Sequence, residues 1–508
     1  MKIRLFILFL IMWTDNIFAQ SVIPSPEDCV MGKGYFRLKG EAICQIQDSG
    51  IVWKTYLKDV FLPEIGCRFK QDAGHKANFR FLHDAVLPVE AYSIVIDRKG
   101  IEVMSGSDAG FFYALQTLRQ LALKIPRGVA WPFVRIADCP RYRWRSFLLD
   151  SGRQCQRMET IKKYIDMAAL LKMNYFHWHL TEGLGWRIEI KKYPRLTQVG
   201  AFVGKGPEQQ GFYSQEQIRE IVKYAAARCV TVVPEIDIPG HAEAALMAYP
   251  EFGCFNETPE IPEYGFTQNI FCGGKMATLC FLKEVLDEVC DLFPSGYIHL
   301  GGDEAPKGNW DKCPDCQARL NQLGLENSHA LQLWLSAELA TYLKGKGRKV
   351  IFWEDVLLGK ELKLPDNAVI QWWNWRVHRE TLCREALRRG HEVICGTNYY
   401  TYLNFPLTPW KGYDRGRTFD LRTAYEKNPS MNRDTNRLVL GMSCALWTDY
   451  GLTENMLDER LFPRIFALAE QMWHKGDYLS FDELLEKIKK KQKWFEKLGY
   501  TYDINLKI

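Results

Sequence analysis

Eight short apolar runs, each ending in polar or aromatic residues, follow one another beyond residue 140, with helical stretches between many of them. They are "RSFLLD" (145–150), "NYFHWHL" (174–180), "TVVPEID" (231–237), "YIHLGGDE" (297–304), "KVIFWED" (349–355), "AVIQWW" (368–373), "EVICGTN" (392–398) and "GMSCALWTD" (441–449). Between the first two, "METIKKYIDMAALL" (158–171) places Ile161, Ile165, Ala168 and Leu171 on one helical stripe. Later, "SQEQIREIVKYAAARC" (214–229) opens with Ser214 and Gln217 in capping-box spacing. Eight buried strands alternating with helices predict an α/β fold, a (β/α)8 TIM barrel. A doubly wound open sheet is the alternative arrangement of the same elements.

Upstream of a break near "ADCPRYRW" (137–144) the rhythm differs. "YSIVIDRKGIEVMSG" (92–106) predicts two short strands around a Lys-Gly turn, and "DAGFFYALQTLRQLAL" (108–123) a helix with Phe112, Leu115, Leu118, Leu121 and Leu123 on or near one face. The chain therefore divides into an N-terminal α/β domain, residues 20–140, and a barrel with a C-terminal helix, residues 141–508. A length of 508 residues suits one large domain with a smaller companion.

The first nineteen residues stand apart. Lys2 and Arg4 precede an apolar run from Leu5 to Trp13, and Ala19 offers a small residue at a cleavage point. This predicts an export signal, residues 1–19, and a mature protein that is periplasmic or secreted. No later segment reaches the 18 apolar residues of a membrane span. A net charge of +5 on this length is too weak to imply nucleic acid or a membrane surface as partner. The basic stretch "KIKKKQKWFEKLGY" (487–500) carries Ile488, Trp494 and Leu498 at helical spacing, and reads as the solvated face of a terminal helix.

Fifteen cysteines are too dilute for a disulfide scaffold, and their odd number leaves at least one unpaired in a monomer. "CPDC" (313–316) has the form of half a zinc site, but no second Cys-x-x-Cys exists, so a local disulfide or two free thiols is the expectation.

In a barrel the chemistry sits at the carboxyl ends of the strands. Those ends carry Asp150, His179, Glu235 with Asp237, Asp303 with Glu304, Trp353 with Glu354, Trp373, and Trp447 with Asp449. Carboxylates hold hydroxyls and move protons, while aromatic faces take the apolar faces of sugar rings. The rim reads as a sugar site. Glu235 and Asp237 face one way from their strand, which fits a buried ion pair as well as catalysis. "HWH" (177–179) sets two histidines on one strand face, the basis for a metal-dependent barrel hydrolase as an alternative.

Within "HLGGDEAPKGNW" (299–310), Asp303 and Glu304 are neighbours. A retaining glycosidase with a protein nucleophile needs carboxylates on both sides of the anomeric carbon, about 5–5.5 Å apart. An adjacent pair suits a different division: Glu304 protonates the leaving oxygen, and Asp303 holds a 2-acetamido group whose own carbonyl attacks C1. The pair also has a plain reading as acids at a helix N-terminus.

With these residues in hand the chain resembles the family 20 glycoside hydrolases, the β-N-acetylhexosaminidases, over nearly all of its predicted mature length. "HLGGDE" resembles the family's catalytic segment, and "PRYRWRSFLLDSGR" (140–153) its entry into the first barrel strand. "KMNYFHWHLTEGLGWRIEIKKYPRLTQVGA" (172–201), "VTVVPEIDIPGHAEAALMAYP" (230–250) and "ALWTDY" through "ERLFPRIFALAEQMW" (445–473) follow in order. The resemblance implies an exo-acting, retaining β-N-acetylhexosaminidase that releases terminal β-linked N-acetylglucosamine or N-acetylgalactosamine through an oxazolinium intermediate. It implies Glu304 as general acid and then base, Asp303 as the group that orients the acetamido N–H, and Tyr402 as its partner at the carbonyl oxygen. Trp353, Trp373 and Trp447 become the walls of the acetamido pocket, and Arg153 the grip on outer hydroxyls. His241, Asp237 and His179 become supporting residues. No metal or organic cofactor is implied, and the partner is a glycan ending in an N-acetylhexosamine.

Four departures from the family's pattern stand out: Glu182-Gly183-Leu184, Gln154 after Arg153, Asn404 where an aspartate is usual, and Asp449 where a glutamate is usual. The last two touch positions that read O4 and O6. They raise the expectation of a sugar altered at C4 or C6, such as 6-O-sulfated N-acetylglucosamine. A catalytically silent sugar-binding protein is the remaining alternative, opposed by the intact Asp303–Glu304–Tyr402 set.

Overall fold

The computed structural model describes residues 22–47, 50–71, 76–261, 267–359, 362–406, 419–430, 436–449, 452–476 and 479–503. The predicted export signal lies outside them, apart from that the sequence expectations can be followed through the chain.

An eight-stranded sheet comes first: β1 (Asp28–Leu38), β2 (Glu41–Ile46), β3 (Arg68–Gln71), β4 (Phe79–His83), β5 (Tyr92–Asp97), β6 (Gly100–Ser105), β7 (Leu123–Ile125) and β8 (Gly128–Asp138). Its order is β1-β8-β5-β6-β4-β2-β3, with β7 beside β8. The predicted hairpin is β5–β6, paired antiparallel from Tyr92 opposite Ser105 to Asp97 opposite Gly100. Helix α1 (Asp108–Leu121) follows. It is capped by Ser107, whose Oγ accepts from Gly110 N at 3.1 Å.

The second part is a closed ring of eight parallel strands. These are β9 (Trp144–Asp150), β10 (Tyr175–His179), β13 (Thr231–Glu235), β14 (Tyr297–His299), β15 (Lys349–Trp353), β16 (Ala368–Trp372), β17 (Glu392–Cys395) and β18 (Val439–Leu446), with β18 returning to pair β9. Between β10 and β13 a two-rung hairpin, β11 (Thr181–Glu182) and β12 (Gly185–Trp186), stands at the rim. Each ring strand falls within or overlaps one of the eight apolar runs, so the barrel expectation holds and the open sheet does not. Helices α2 (Met158–Leu170), α3 (Gln215–Ala226), α4 (Met276–Leu292), α5 (Pro314–Leu323), α6 (Ser328–Gly345), α7 (Arg464–Trp473) and α8 (Phe481–Lys497) lie among the connections and at the C-terminal side. The box at α3 forms as its residues dictate: Ser214 N donates to Gln217 Oε1 at 2.9 Å and Gln217 N to Ser214 Oγ at 3.3 Å.

Period-two alternation sends one side of each strand into the barrel, where side chains stack in layers. Trp144, Val233, Ile351, Val369, Ile394 and Leu440 fill the lower layer, with Tyr175 and Tyr297 against it. Leu148, Trp353, Trp373 and Ala445 form the upper one, beneath Tyr402 and Trp447. Register fixes a row near the rim: His179 lies opposite Asp150 on one side and Glu235 on the other, and Glu235 opposite His299.

The two parts meet across buried charge. Arg145, 1% exposed on β9, donates through Nη2 to Glu90 Oε1 at 2.8 Å and to Tyr113 at 3.1 Å. Lys172 Nζ lies 3.0 Å from Asp138 Oδ2, both fully buried. Asp138 also accepts from Trp473 Nε1 at 2.9 Å and from Glu27 N at 3.0 Å. The terminal helix α8 departs from its predicted role on one point. Ile488 is buried, and Trp494 and Leu498 pack on the core, but two of its lysines are turned inward: Lys487 reaches Ser25 and Lys491 the Gln120 carbonyl. No described helix is long and apolar enough to cross a membrane.

Candidate active site

The Gly-Gly before the acid pair is dictated by backbone conformation. Gly301 and Gly302 take φ of 60° and 100°, the left-handed region that side chains resist. A Cβ on Gly301 would stand 1.8 Å from Asp237 Oδ1, so the chain passes directly over that carboxylate. Gly302 N then donates to the same oxygen at 2.9 Å, and Gln332 Nε2, from α6, holds the Gly302 carbonyl at 2.6 Å. Glu304 itself sits at φ 43°, a strained setting for a residue with a Cβ, worth on the order of 1 kcal/mol. The surrounding loop is fixed firmly enough to hold it.

The pair opens into a concavity of the rim, which Arg153, His179, Glu182, Asp237, His241, Asp303, Glu304, Trp373, Arg376, Asn398, Tyr402, Asn404, Phe405, Trp447 and Asp449 line. The side chain of Asp303 is 15% exposed and that of Glu304 33%. His241 bridges them, with Nε2 3.8 Å from Asp303 Oδ2 and 3.8 Å from Glu304 Oε2. Its other nitrogen, Nδ1, meets Glu182 Oε2 at 2.8 Å. Glu182 in turn takes Arg153 Nη2 at 3.1 Å. Arg153 is anchored at its base by Asp150, with Nη1 on Oδ2 at 2.9 Å, and lies 5.3 Å over the Trp447 ring. Thus Arg153, Glu182 and His241 make one continuous charged path to the acids.

These contacts set the protonation states. Burial pushes Asp303 well above the usual carboxylate range, and the nearby Asp237 carboxylate adds to the push while His241 opposes it. Burial likewise raises Asp237 to about 7, against the pull of His241. For His241 burial works toward the neutral form, but Glu182, Asp237 and Asp303 outweigh it and hold the ring well above its ordinary value. Glu182 is driven the other way: Arg153 and His241 overcome its burial and keep it ionised. Burial, with Asp303 and Glu354 nearby, raises the Tyr402 phenol well above 10, so it remains a hydrogen-bond donor.

An aromatic box faces the acids. Trp373 and Tyr402 stack at 6.3 Å with planes 10° apart, and Tyr402 meets Trp447 at 5.8 Å. Trp373 is held by both ends: Glu354 Oε2 accepts its backbone N–H and Asp355 Oδ2 its indole N–H, each at 2.8 Å. Trp353 occupies a different place from its two counterparts. It is 1% exposed and forms the floor behind the lining, 6.0 Å from Trp447, with its indole N–H on Glu235 Oε1 at 2.8 Å. On the far side Asn404 Nδ2 donates to Asp449 Oδ1 at 2.9 Å. Burial raises Asp449 to about 6, against the pull of Arg153.

The histidines of "HWH" converge on Glu235. His177 Nε2 is 2.8 Å and His179 Nδ1 2.6 Å from Oε2, with His299 Nδ1 3.2 Å from Oε1. Glu235 is fully buried and answers the ambiguity in the sequence as an ion-pair hub, not a group facing substrate. Burial lowers His177 to about 4, while Glu235 holds His179 well above its ordinary value despite burial. His177, Glu235 and His299, like Asp237, His241 and Asp303, bring donor atoms within 4.8 Å. Both sets are already woven into the hydrogen bonds and ion pairs above, so the two histidines act on a carboxylate rather than standing as an open ligand face.

Sequence reasoning gave no place to Arg376, named Asp150 only as a strand-end acid of the rim and Glu182 only as a departure from the family's pattern. Glu182 had a further signal, its position three residues beyond the end of β10. Arg376, beyond the end of β16, had little. Of the two CPDC expectations the free thiols hold and the local disulfide does not: Cys313 and Cys316 are free, and Cys254 and Cys272 join them, all four sulfurs lying within 4.8 Å of one another.

Comparison with known proteins agrees with this geometry. Residues 142–476 match the profile of Glycosyl hydrolase family 20, catalytic domain, and residues 19–139 that of Glycosyl hydrolase family 20, domain 2. The chain is 38% identical over 428 residues to a β-hexosaminidase of Porphyromonas gingivalis, covering 79% of this chain and 54% of that protein, so it spans about half the relative's length. It is 35% identical over 474 residues to a β-hexosaminidase of Vibrio furnissii, covering 88% and 76%. Among solved structures, a β-N-acetylhexosaminidase of Bacteroides fragilis superposes with TM-score 0.90 at 57% identity, over 95% of this chain and 97% of that one. A family 20 exo-β-N-acetylglucosaminidase of Vibrio harveyi, solved with N-acetylglucosamine, gives TM-score 0.85 at 28% identity, over 96% and 78%. The match extends across both parts of the molecule, and the chain belongs to glycosyl hydrolase family 20.

Proposed function

We propose that the protein is an exo-acting β-N-acetylhexosaminidase that retains configuration by using the substrate's own acetamido group as nucleophile. One observation carries this reading: Asp303 Oδ1 is buried at the mouth of the aromatic box and finds no hydrogen-bond partner among the described residues. A buried acceptor without a donor costs about 1–3 kcal/mol, which a substrate N–H arriving there recovers. Tyr402 supplies the complementary donor, and the Trp373–Tyr402–Trp447 faces leave a slot of the right polarity for an acetamido methyl.

In this mechanism Glu304 protonates the glycosidic oxygen as it departs. The acetamido carbonyl oxygen attacks C1, and the hydrogen bond that the acetamido N–H donates to Asp303 shortens as positive charge builds on the five-membered ring. His241, held cationic by Glu182, favours the ionised form of Asp303 in that state. Water then attacks C1, Glu304 takes its proton, and the ring reopens to the sugar with its original configuration. The other carboxylates of the pocket are committed elsewhere, Glu182 to Arg153 and His241, Asp449 to Asn404.

The finer specificity rests on Asn404 and Asp449. A neutral amide takes the place of one negative charge beside Asp449, and the guanidinium of Arg376 faces the same cavity. This favours a sugar bearing an anionic group at C6, such as 6-O-sulfated N-acetylglucosamine, over the plain one. If Asp449→Glu combined with Asn404→Asp leaves the ratio of rates on plain and 6-sulfated aryl glycosides unchanged, the specificity reading is wrong. The N-terminal apolar run supports export to the periplasm or beyond.

The mechanism is tested by comparing aryl β-glycosides of N-acetylglucosamine and of glucose. Release from the acetamido sugar alone is expected. Comparable release from both would place the nucleophile on the protein and overturn the division of labour between Asp303 and Glu304.

A further inference from the structure

Four cysteines that play no part in this chemistry meet beside the loop that carries it. Cys254 and Cys272 belong to the long connection after β13. Cys313 precedes the first residue of α5, and Cys316 lies in its first turn. Cys272 Sγ is 3.5 Å from Cys316 Sγ and 3.8 Å from Cys313 Sγ, and Cys254 Sγ is 4.0 Å from Cys316 Sγ. Cys272, Cys313 and Cys316 are at most 1% exposed and Cys254 is 9% exposed.

The spacing discriminates between the chemistries open to four thiols. A disulfide brings two sulfurs to about 2.05 Å. A tetrahedral site with metal–sulfur bonds of about 2.3 Å has sulfur–sulfur edges of about 3.8 Å. The three separations straddle that edge, and the fourth cysteine is in the same cluster.

The backbone is shaped to allow it. A Cβ on Gly274 would stand 2.2 Å from the Asp315 carbonyl carbon and 2.3 Å from Cys316 N, so only glycine lets the two segments approach this closely. A Cβ on Gly273 would meet the Trp310 ring at 2.8 Å. Lys275 Nζ braces the Cys254 segment through the Gly253 carbonyl at 2.6 Å and Asn256 Oδ1 at 2.7 Å. Arg319, on α5, reaches the Gly274 carbonyl at 3.3 Å and so ties the two halves together.

We propose that Cys254, Cys272, Cys313 and Cys316 form a closed tetrathiolate site for one zinc ion. Four soft, tetrahedrally disposed thiolates select zinc among the common divalent cations, and with every position filled by protein the ion offers no site for water. Its role is structural. Binding replaces four thiol protons with one Zn2+, forms four Zn–S bonds and releases the four protons to solvent. The ion then cross-links the connection after β13 to the start of α5, one short helix (Gly308–Lys312) beyond the Asp303–Glu304 turn. The strained backbone of Glu304 is thereby clamped from its C-terminal side.

The test uses the full chain purified without chelators, with metal content measured by plasma mass spectrometry and thiols counted by alkylation in denaturant. About one zinc per chain is expected, lost in Cys272→Ser and in Cys316→Ser but kept in Cys280→Ser, whose cysteine is exposed and elsewhere. Replacing zinc with cobalt should give the intense thiolate-to-cobalt bands of a tetrahedral sulfur site. In an oxidising compartment the rival state is two disulfides. A metal-free chain with a mass four hydrogens lower, or one with all four thiols free, would overturn the proposal. So would zinc that stays after Cys272→Ser, since it would then reside at another site.

Discussion

His241 stands with Nδ1 2.8 Å from Glu182 Oε2, and that contact decides the charge of the ring that touches both acids. The Glu182→Gln variant removes the main force holding His241 protonated. The raised value of His241 contributes stability that is complete below its unfolded value near 6.5 and is lost as pH rises through the higher folded value. Melting temperatures measured from pH 6 to 10 should therefore fall less steeply in Glu182→Gln than in the parent. Its kcat should drop about 10- to 100-fold, because Asp303 loses its cationic neighbour at the moment it must be ionised.

Glu304 is assigned to protonate the leaving group, which makes its worth depend on the aglycone. Glu304→Gln should lower kcat about 100- to 10,000-fold on an alkyl or sugar aglycone. The loss should shrink on a dinitrophenyl glycoside, whose oxygen departs without a proton. A plot of log kcat against aglycone pKa checks this; an equal loss on every aglycone would remove Glu304 from that role.

In the proposed site the Asp449 oxygen left over by Asn404 accepts a sugar hydroxyl best when the group is ionised, and burial raises Asp449 to about 6. On the acid side, kcat/KM should decline as pH falls through that value. The stability term runs opposite: with the folded value above the unfolded one, it is complete below about pH 4 and is lost as pH rises through 6. Asn404→Asp places a second carboxylate where an amide now donates at 2.9 Å, so the acid limb of kcat/KM should move up by about one unit. An unmoved limb would assign it to another group.

At the domain junction, Lys172→Met leaves Asp138 buried with only its neutral donors, Tyr92, Trp473 and the Glu27 amide. Breaking one side of such a pair should cost about 3 kcal/mol, read from urea denaturation, with kcat on the surviving folded protein unchanged. Adding Asp138→Leu should recover part of the loss, because the stranded charge is then gone.

The barrel was legible because each strand is an apolar run whose last residues are polar, a pattern tied to position rather than to distant contacts. Asp303 and Glu304 could be placed from their segment for the same reason, whereas Tyr402, beyond the last residue of its run, was placed only by the family resemblance. Trp353 shows where this stops. It ends a strand as Trp373 and Trp447 follow theirs, yet the inward alternation through Ile351 and Trp353 sets it under its neighbours, where it supports the box from behind. The role of Glu182, though not the residue, was hidden by a local hairpin: Thr181–Glu182 pairs with Gly185–Trp186, and Glu182 there meets Arg153. The cysteine cluster was illegible for a plainer reason. Its members come from two connections whose approach depends on Gly273, Gly274 and Trp310 packing together, and no spacing rule reports that.

The pairing of β18 with β9 bears on how the molecule is made. Leu446 pairs with Leu149, so the ring joins its first strand to its last, and the polar edge of β9 has no partner until nearly the whole barrel has emerged. Every residue of β9 is buried in the finished molecule. On that strand Arg145 is matched to Glu90 and Tyr113, partners supplied by chain that precedes it. The first domain thus gives the opening strand buried partners that do not depend on the strand that closes the ring.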